Sequence, residues 1–285
     1  MAELSCRPRV CLHEVQCQTG TFADYDKRRW RSQPGIRGRW FLFPPVTISG
    51  AMCVAGYSME KLFASLFPRR AALAWPESRG AETDVGAMLF STPTLSNDVA
   101  ELESLANGMS SDDILLHEDE WSQLEFLPAS QFEHVRHILT EYVGFERLQR
   151  CGSGWNEAYI RQLSRVPVIS GEAALAWLEG LFGSRVRRAP LLFADGCVQG
   201  RIRNGFSLPL GGNVALYGHM NDESIIMLGA HMGPMADSSV LASAFATLNA
   251  NIGLVLVDWR GQFVMVSKQE QAGALVWRPA EAPGA

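Results

Sequence analysis

The chain has 285 residues, 47% of them hydrophobic and 19% charged, with a mean hydropathy close to zero. That composition excludes a disordered chain, a collagen-like repeat and a coiled coil, and it gives enough length for one large domain or two ordinary ones. The net charge of −5 is unevenly distributed: residues 1–79 carry +6, residues 80–135 carry −12 without a single Lys or Arg, and residues 136–285 carry +1.

In chain order, residues 9–17 alternate as a strand does, and Asp24 to Trp40 reads as a basic loop broken by Pro34-Gly35. Val46 to Val54 is a further strand candidate. Ser58 offers an N-cap to a helix from Met59 to Phe67, stopped by Pro68. Short apolar runs follow at 71–75 and 85–90, and Val99, Leu102 and Leu105 have helical spacing before Asn107-Gly108. The segment 109–128 is expected to form a short amphipathic helix, with Ile114, Leu115, Trp121 and Leu124 inward and its acids facing water.

Ser130 and Glu133 have the spacing of a capping box, and the apolar stripe from Phe132 through Val135, Ile138, Leu139 and Tyr142 predicts a helix over 131–150. Helices are also expected at 155–164, at 172–182 ending on Gly183, and at 238–250. Asp195-Gly196, Asn204-Gly205 and Asn221-Asp222 separate short apolar runs, which is the turn chemistry of antiparallel hairpins. A last hairpin is expected about Arg260-Gly261, and the tail 279–285 is expected to be disordered. The expected architecture is α+β: a mixed N-terminal unit (1–108), an acidic connection (109–128), and a C-terminal unit (129–278) with helices packed on an antiparallel β-meander.

The first residues have an acid at Glu3 and no apolar run typical of a secretory signal, and the cysteines are dispersed, so a cytoplasmic protein with reduced thiols is expected. The uncharged stretches Trp40–Met59 and Ser238–Val257 carry Pro, Gly or Asn and read as interior segments, with no role at a membrane. Three Lys against 22 Arg indicates a GC-rich bacterial source.

No specific catalytic motif is present. Cys6, Cys11, His13 and Cys17 lack the C-x2-C knuckle of a zinc site and read as buried thiols. His134, His137 and Glu141 share one helix side, which reads as a solvated face. Cys151-Gly152-Ser153-Gly154-Trp155 falls short of a nucleophile elbow and reads as a helix C-cap followed by an N-cap. Tyr217-Gly218-His219-Met220 echoes Gly229-Ala230-His231-Met232. With a turn at Asn221-Asp222 the two histidines lie roughly 15 to 20 Å apart along their strands, too far to share a metal. No cofactor and no metal is expected.

The charge pattern therefore carries the functional expectation. Single-sign charge at this density repels itself, so it implies a positive counterpart. We expect a cytosolic protein-binding or inhibitor protein, most concretely an immunity protein neutralising a basic toxin such as a nuclease. Asp112, Asp113, Glu118, Asp119, Glu120 and Trp121 are the expected contact residues. The acids could instead pair within the chain, with the arginines of residues 27–39. Two other classes stay open: a hydrolase with a dispersed His/Asp/Ser site that includes His219 and His231, and a weak nucleic-acid binder using Trp30, Trp40 and the arginines beside them.

Overall fold

The computed structural model describes residues 59–67, 90, 92–98, 100–105, 109–151, 154–194, 197–268 and 273–279. The N-terminal cysteine cluster, the Trp/Arg loop, the strands expected before residue 55, the run at 71–75, the Asp195-Gly196 turn and residues 280–285 lie outside that set.

The helix Met59–Leu66 (α1) forms as expected, and so does Phe132–Gln149 (α2). The latter begins after a 3₁₀ turn, Ala129–Gln131, and Gln131 occupies the N-cap without a side-chain hydrogen bond, so the Ser130/Glu133 capping box is not formed. Ala174–Phe182 (α3) ends on Gly183 and Ser238–Ile252 (α4) ends on Gly253, each glycine with φ above 60°, the left-handed conformation that an unbranched backbone adopts cheaply. Asp237 caps α4 by accepting the Ser239 N–H at 2.9 Å.

The helices expected at 97–106 and 155–164 do not form in the described residues. In their place are short strands, Thr94–Ser96 (β1), Leu102–Glu103 (β2) and Tyr159–Arg161 (β7), with β1 and β7 paired in parallel. The acidic segment is not a helix either: strand Leu115–His117 (β3) leads through a 3₁₀ turn, Glu118–Glu120, to strand Leu124–Pro128 (β4). Helical spacing in these segments is outweighed by hydrogen bonding to partners remote in sequence. Arg150–Cys151 (β5) and Gly154–Trp155 (β6) pair antiparallel, while Gly152 and Ser153, the expected helix caps, lie outside the described residues.

The remaining strands are Arg187–Arg188 (β8), Leu191–Ala194 (β9), Cys197–Ile202 (β10), Gly205–Gly211 (β11), Val214–Asn221 (β12), Ser224–Met232 (β13), Leu254–Asp258 (β14), Phe263–Lys268 (β15) and Gly273–Trp277 (β16). Eight strands join in the order β16-β15-β14-β4-β13-β12-β11-β8, antiparallel at every step, and the protein is α+β. The meander β11-β12-β13 and the hairpin β14-β15 follow the turn residues. Asn204, however, links strands of two different sheets, because β10 pairs with β9 and β2 while β11 pairs with β12.

Strand β4 lies between β13 and β14. Its register sets two rows across the sheet. Met265, Leu256, Phe126, Leu228 and Phe206 share one face, packed in a single core with Phe245 and Leu248 of α4, Phe63 of α1 and Leu178 of α3. Each such fully buried side chain contributes about 1.5–3 kcal/mol relative to exposure. On the opposite face the adjoining row runs Val264, Val257, Glu125, Gly229, Tyr217, Ser207. An acid thus sits at the middle of the sheet, and the functional site grows from what surrounds it.

Candidate functional site

Glu125 is 1% exposed. Burial of a lone carboxylate is costly, and here both oxygens are engaged. Oε1 accepts the Trp259 indole N–H at 2.6 Å, while Oε2 accepts the Ser122 hydroxyl at 2.9 Å and Arg165 Nη1 at 2.7 Å. Arg165 also reaches Asp98 Oδ2 through Nε at 3.0 Å, and that same oxygen accepts His219 Nε2–H at 3.2 Å. The His219 hydrogen bond holds the Asp98 carboxyl below its ordinary pKa, burial opposes this, and the Arg165 charge adds to it. Burial also works against the charge on Arg165, but Glu125 and Asp98 outweigh it and raise its pKa.

Arg161 lies deeper still. Its guanidinium donates to Ser122 O at 3.0 Å and Thr94 Oγ1 at 3.2 Å, and stacks 4.9 Å from the Trp259 ring centre. Burial lowers its pKa to about 10, which leaves it charged at neutral pH. Tyr217 crosses the sheet under Gly229, where a Cβ would stand 2.7 Å from its ring, and its hydroxyl accepts Ser122 N–H at 3.0 Å and donates to Glu120 O at 3.2 Å. Burial pushes this phenol upward, so it is a neutral donor.

This network fixes the expected contact residues in different ways. Trp121 is 7% exposed, rests against Tyr217 and His219, and donates its indole N–H to Asp98 O at 2.9 Å, so it is an internal residue. The Asp113 side chain is 5% exposed and accepts Arg201 Nη2 at 3.0 Å; that bond holds its carboxyl below the ordinary value against burial. Glu125, read as facing water with the other acids of 109–128, is likewise turned inward. Asp112 is 73% exposed, 3.6 Å from Arg187, and Glu118 is exposed. Asp119 and Glu120 are half-buried, and the turn they share is anchored by Arg260 Nη2 on Asp119 O at 3.0 Å and by Asp119 N–H on His117 Nδ1 at 3.2 Å. Several of these acids lie against arginines of the described residues, among them Arg165, Arg187, Arg201 and Arg203, while the arginines of residues 27–39 with which they were expected to pair lie outside that set.

Because β4 is antiparallel to both neighbours, its first residue, Leu124, meets the last residues of β13 and β14. A cleft of about 310 Å³ opens at this end of the sheet. Glu120, His231, Asp258 and Arg260 supply its charge or polarity, and Phe67, Leu124 and Met232 supply apolar wall. His231 Nδ1 stands 3.7 Å from Glu120 Oε2. His231 pairs with Ala215 and His219 with Met227, so the two histidines lie four strand positions apart, about 13 Å, a little nearer than the turn had implied. A bulge between His219 and Met220 and a turn one residue later account for the shift. The sequence had offered His231 only as a scattered candidate, and it carried no sign of the cleft, which is assembled from α1, β3, β4, β13, β14 and the turns beside them.

Among the described residues no group of three or more His, Cys, Asp or Glu is placed to hold a metal ion. His137 pairs with Glu141 at 3.3 Å, whereas His134 Nε2 lies 3.1 Å from Gln162 O. Also among these residues, no helix is long and apolar enough to cross a membrane. No family model, curated protein or solved structure matches this chain.

Proposed function

We propose that this is a cytoplasmic binding protein that docks a basic protein partner through the Asp112–Glu120 segment, as an immunity protein does when it neutralises a basic toxin such as a nuclease. The observation that supports it is the anchoring of the Glu118–Glu120 turn: Tyr217, Arg260 and His117 hold its backbone, and exposed acid remains at Glu118 and Asp112. A rigid charged turn loses little conformational entropy on binding, and its field steers an oppositely charged partner and fixes its register. The Asp112–Arg187 pair is no obstacle, since an ion pair this exposed is worth less than about 1 kcal/mol.

The contact set is thereby narrower than composition alone implied. Asp112 and Glu118 meet the partner, Asp119 and Glu120 shape the turn, and Asp113 and Trp121 hold it from behind. Affinity capture from the native host with the wild-type chain and with an Asp112→Lys/Glu118→Lys variant tests this. A basic protein retained by the first and lost by the second is expected, with an association rate that falls roughly tenfold or more as salt is raised. Equal retention by both would overturn the proposal.

A hydrolase is the second reading, favoured by His231 and Glu120 sharing a cleft. Among the described residues its lining contains no Ser, Thr or Cys, so water would be the nucleophile and His231 its base. Turnover of an ester or phosphodiester panel that disappears in His231→Ala would establish it in place of the first.

A further inference from the structure

We propose that Arg185, Arg187 and Arg188, displayed where β8 ends the eight-stranded sheet, bind an extended acidic peptide segment of a protein partner. The site is separate from the acidic turn, and the inference goes beyond the docking function proposed above.

The first observation is charge. All three side chains are exposed, and guanidiniums this close in sequence repel one another without helping the fold. Among the described residues Arg185 and Arg188 make no side-chain hydrogen bond or ion pair. Arg188 reaches the Asp113 carboxylate only through its field, since Arg201 holds that carboxylate at 3.0 Å. Arg187 stands 3.6 Å from Asp112, whose side chain is 73% exposed, and a pair this open exchanges readily for another carboxylate. Arginine keeps its charge in proteins, so the positive sign of the site does not depend on titration.

The second is a backbone set in advance. Val186 N–H donates to Glu179 Oε1 at 2.7 Å and the Val186 side chain packs against the core, which leaves the flanking Arg185 and Arg187 turned to solvent. Arg187 and Arg188 pair with Ser207 and Phe206 of β11, and Arg188 O accepts the Ser207 hydroxyl at 2.7 Å. Binding therefore orders only the arginine rotamers, at a small entropic cost.

The third selects among anions. The planar fork of arginine matches a carboxylate or a phosphate with two parallel hydrogen bonds. Single-stranded nucleic acid adds base stacking on aromatic rings to its phosphate contacts. The ring in register with Arg188, Phe206, is 2% exposed and belongs to the core, so it gives bases no platform. A terminal strand is instead the geometry along which an extended peptide lies, with its alternate side chains directed to one side. Carboxylates at alternate positions of such a peptide meet Arg185 and Arg187 in turn.

The probe is a short fluorescein-labelled peptide alternating Glu and Thr, titrated into the full chain at low salt and followed by fluorescence anisotropy. The same peptide with Gln in place of Glu, and an oligothymidylate of equal net charge, are the comparisons. The Glu peptide is expected to bind with Kd on the order of 100 µM, and both comparisons at least about tenfold more weakly. Arg185→Gln/Arg188→Gln should weaken the Glu peptide roughly tenfold with an unchanged thermal midpoint, and Arg185→Lys/Arg188→Lys, which keeps the charge and loses the fork, roughly threefold. Asp112→Lys/Glu118→Lys leaves the three arginines in place and should bind the peptide at least as tightly as wild type does.

Equal binding of the Glu and Gln peptides, or undiminished peptide affinity in the folded Arg185→Gln/Arg188→Gln variant, would each overturn the site. Oligothymidylate binding as tightly as the Glu peptide or more tightly would overturn it by making nucleic acid the ligand. Weakened peptide binding in Asp112→Lys/Glu118→Lys would overturn it by moving the binding away from β8. That variant is also the one expected to lose the basic partner, so the arginine site and the docking surface fail independently.

Discussion

On one face of the eight-stranded sheet, Phe126, Leu228 and Leu256 meet Phe245 and Leu248 of α4 in an apolar layer. One residue along β4, on the opposite face, Glu125 is held by Arg165, Ser122 and Trp259, with Arg161 stacked behind. Both layers are buried, and they hold together for different reasons. The apolar layer is stabilised by area removed from water and tolerates imperfect shape. The charged layer depends on complete pairing, because each member is tolerable only while its partners are present.

The sharpest way to break this contrast is to remove one charge. Arg165→Met leaves Glu125 and Asp98 buried without their shared cation and is expected to cost about 3–5 kcal/mol in urea unfolding. Adding Glu125→Gln should recover a large part of that loss, since the amide still accepts from Trp259. On the apolar face Phe245→Ala should cost a similar amount, but no second substitution on the sheet will rescue it. If the Arg165→Met and Glu125→Gln losses simply add, the network is not coupled and the distinction between the faces collapses.

A smaller effect is expected at the point where the faces differ in shape. Gly229 gives Tyr217 room to lie across the sheet, and a methyl group there would stand 2.7 Å from its ring. Gly229→Ala should cost about 1–3 kcal/mol and should release the Ser122–Tyr217–Glu120 linkage. Hydrogen exchange at the Ser122 amide reads this directly: faster exchange in the variant is expected, and exchange equal to wild type would mean that the turn is held without Tyr217.

Much of the secondary structure was legible in the sequence and the charged layer was not. The stripe of α2, the Gly183 stop of α3 and the Arg260-Gly261 hairpin are signalled by residues within one or two turns of each other. The partners of Asp98, Asp113 and Glu125 are remote: Arg165 lies 40 positions beyond Glu125, Arg201 lies 88 beyond Asp113, and His219 lies 121 beyond Asp98. A run of acids without a nearby cation reads as a wet surface, although Asp98, Asp113 and Glu125 of this one are turned inward. One signal was present. Glu125 stands inside Leu124-Glu-Phe-Leu127, and a single charge in an apolar strand marks either an error of register or a buried pair. The cleft had no such mark, because its lining comes from elements scattered between Leu66 and Gly261.

Acid titration sharpens the same contrast more gently. Asp98 and Asp113 have folded pKa values below their ordinary value of 3.8, held there by His219 and Arg201 respectively. A depressed carboxylate contributes stability that is fully present above its unfolded pKa and is lost as pH falls through the folded one. Stability from these two groups should therefore be level between about pH 5 and 7 and should decline below about pH 4. Asp113→Asn should be less stable than wild type at pH 6 and lose less on acidification. Parallel curves for the two proteins would remove Asp113 from the linkage.

The smallest effects belong to the acids that stayed outside. Glu101 and Arg203 meet at 2.8 Å with both side chains more than half exposed, and Asp112 faces Arg187 at 3.6 Å in a similar setting. Solvent and salt screen such pairs, and side-chain entropy offsets most of what remains. Glu101→Gln and Asp112→Lys should each change unfolding free energy by less than about 0.5 kcal/mol. That near-silence in folding is what a docking residue requires. Asp112 can carry a binding function because the fold does not depend on it, whereas Asp113, its neighbour in sequence, is committed to Arg201 and the interior. Equal and large losses from Asp112→Lys and Asp113→Asn would show that both acids serve the fold, and the division between an internal and an external acidic set would fail at the position where it is most finely drawn.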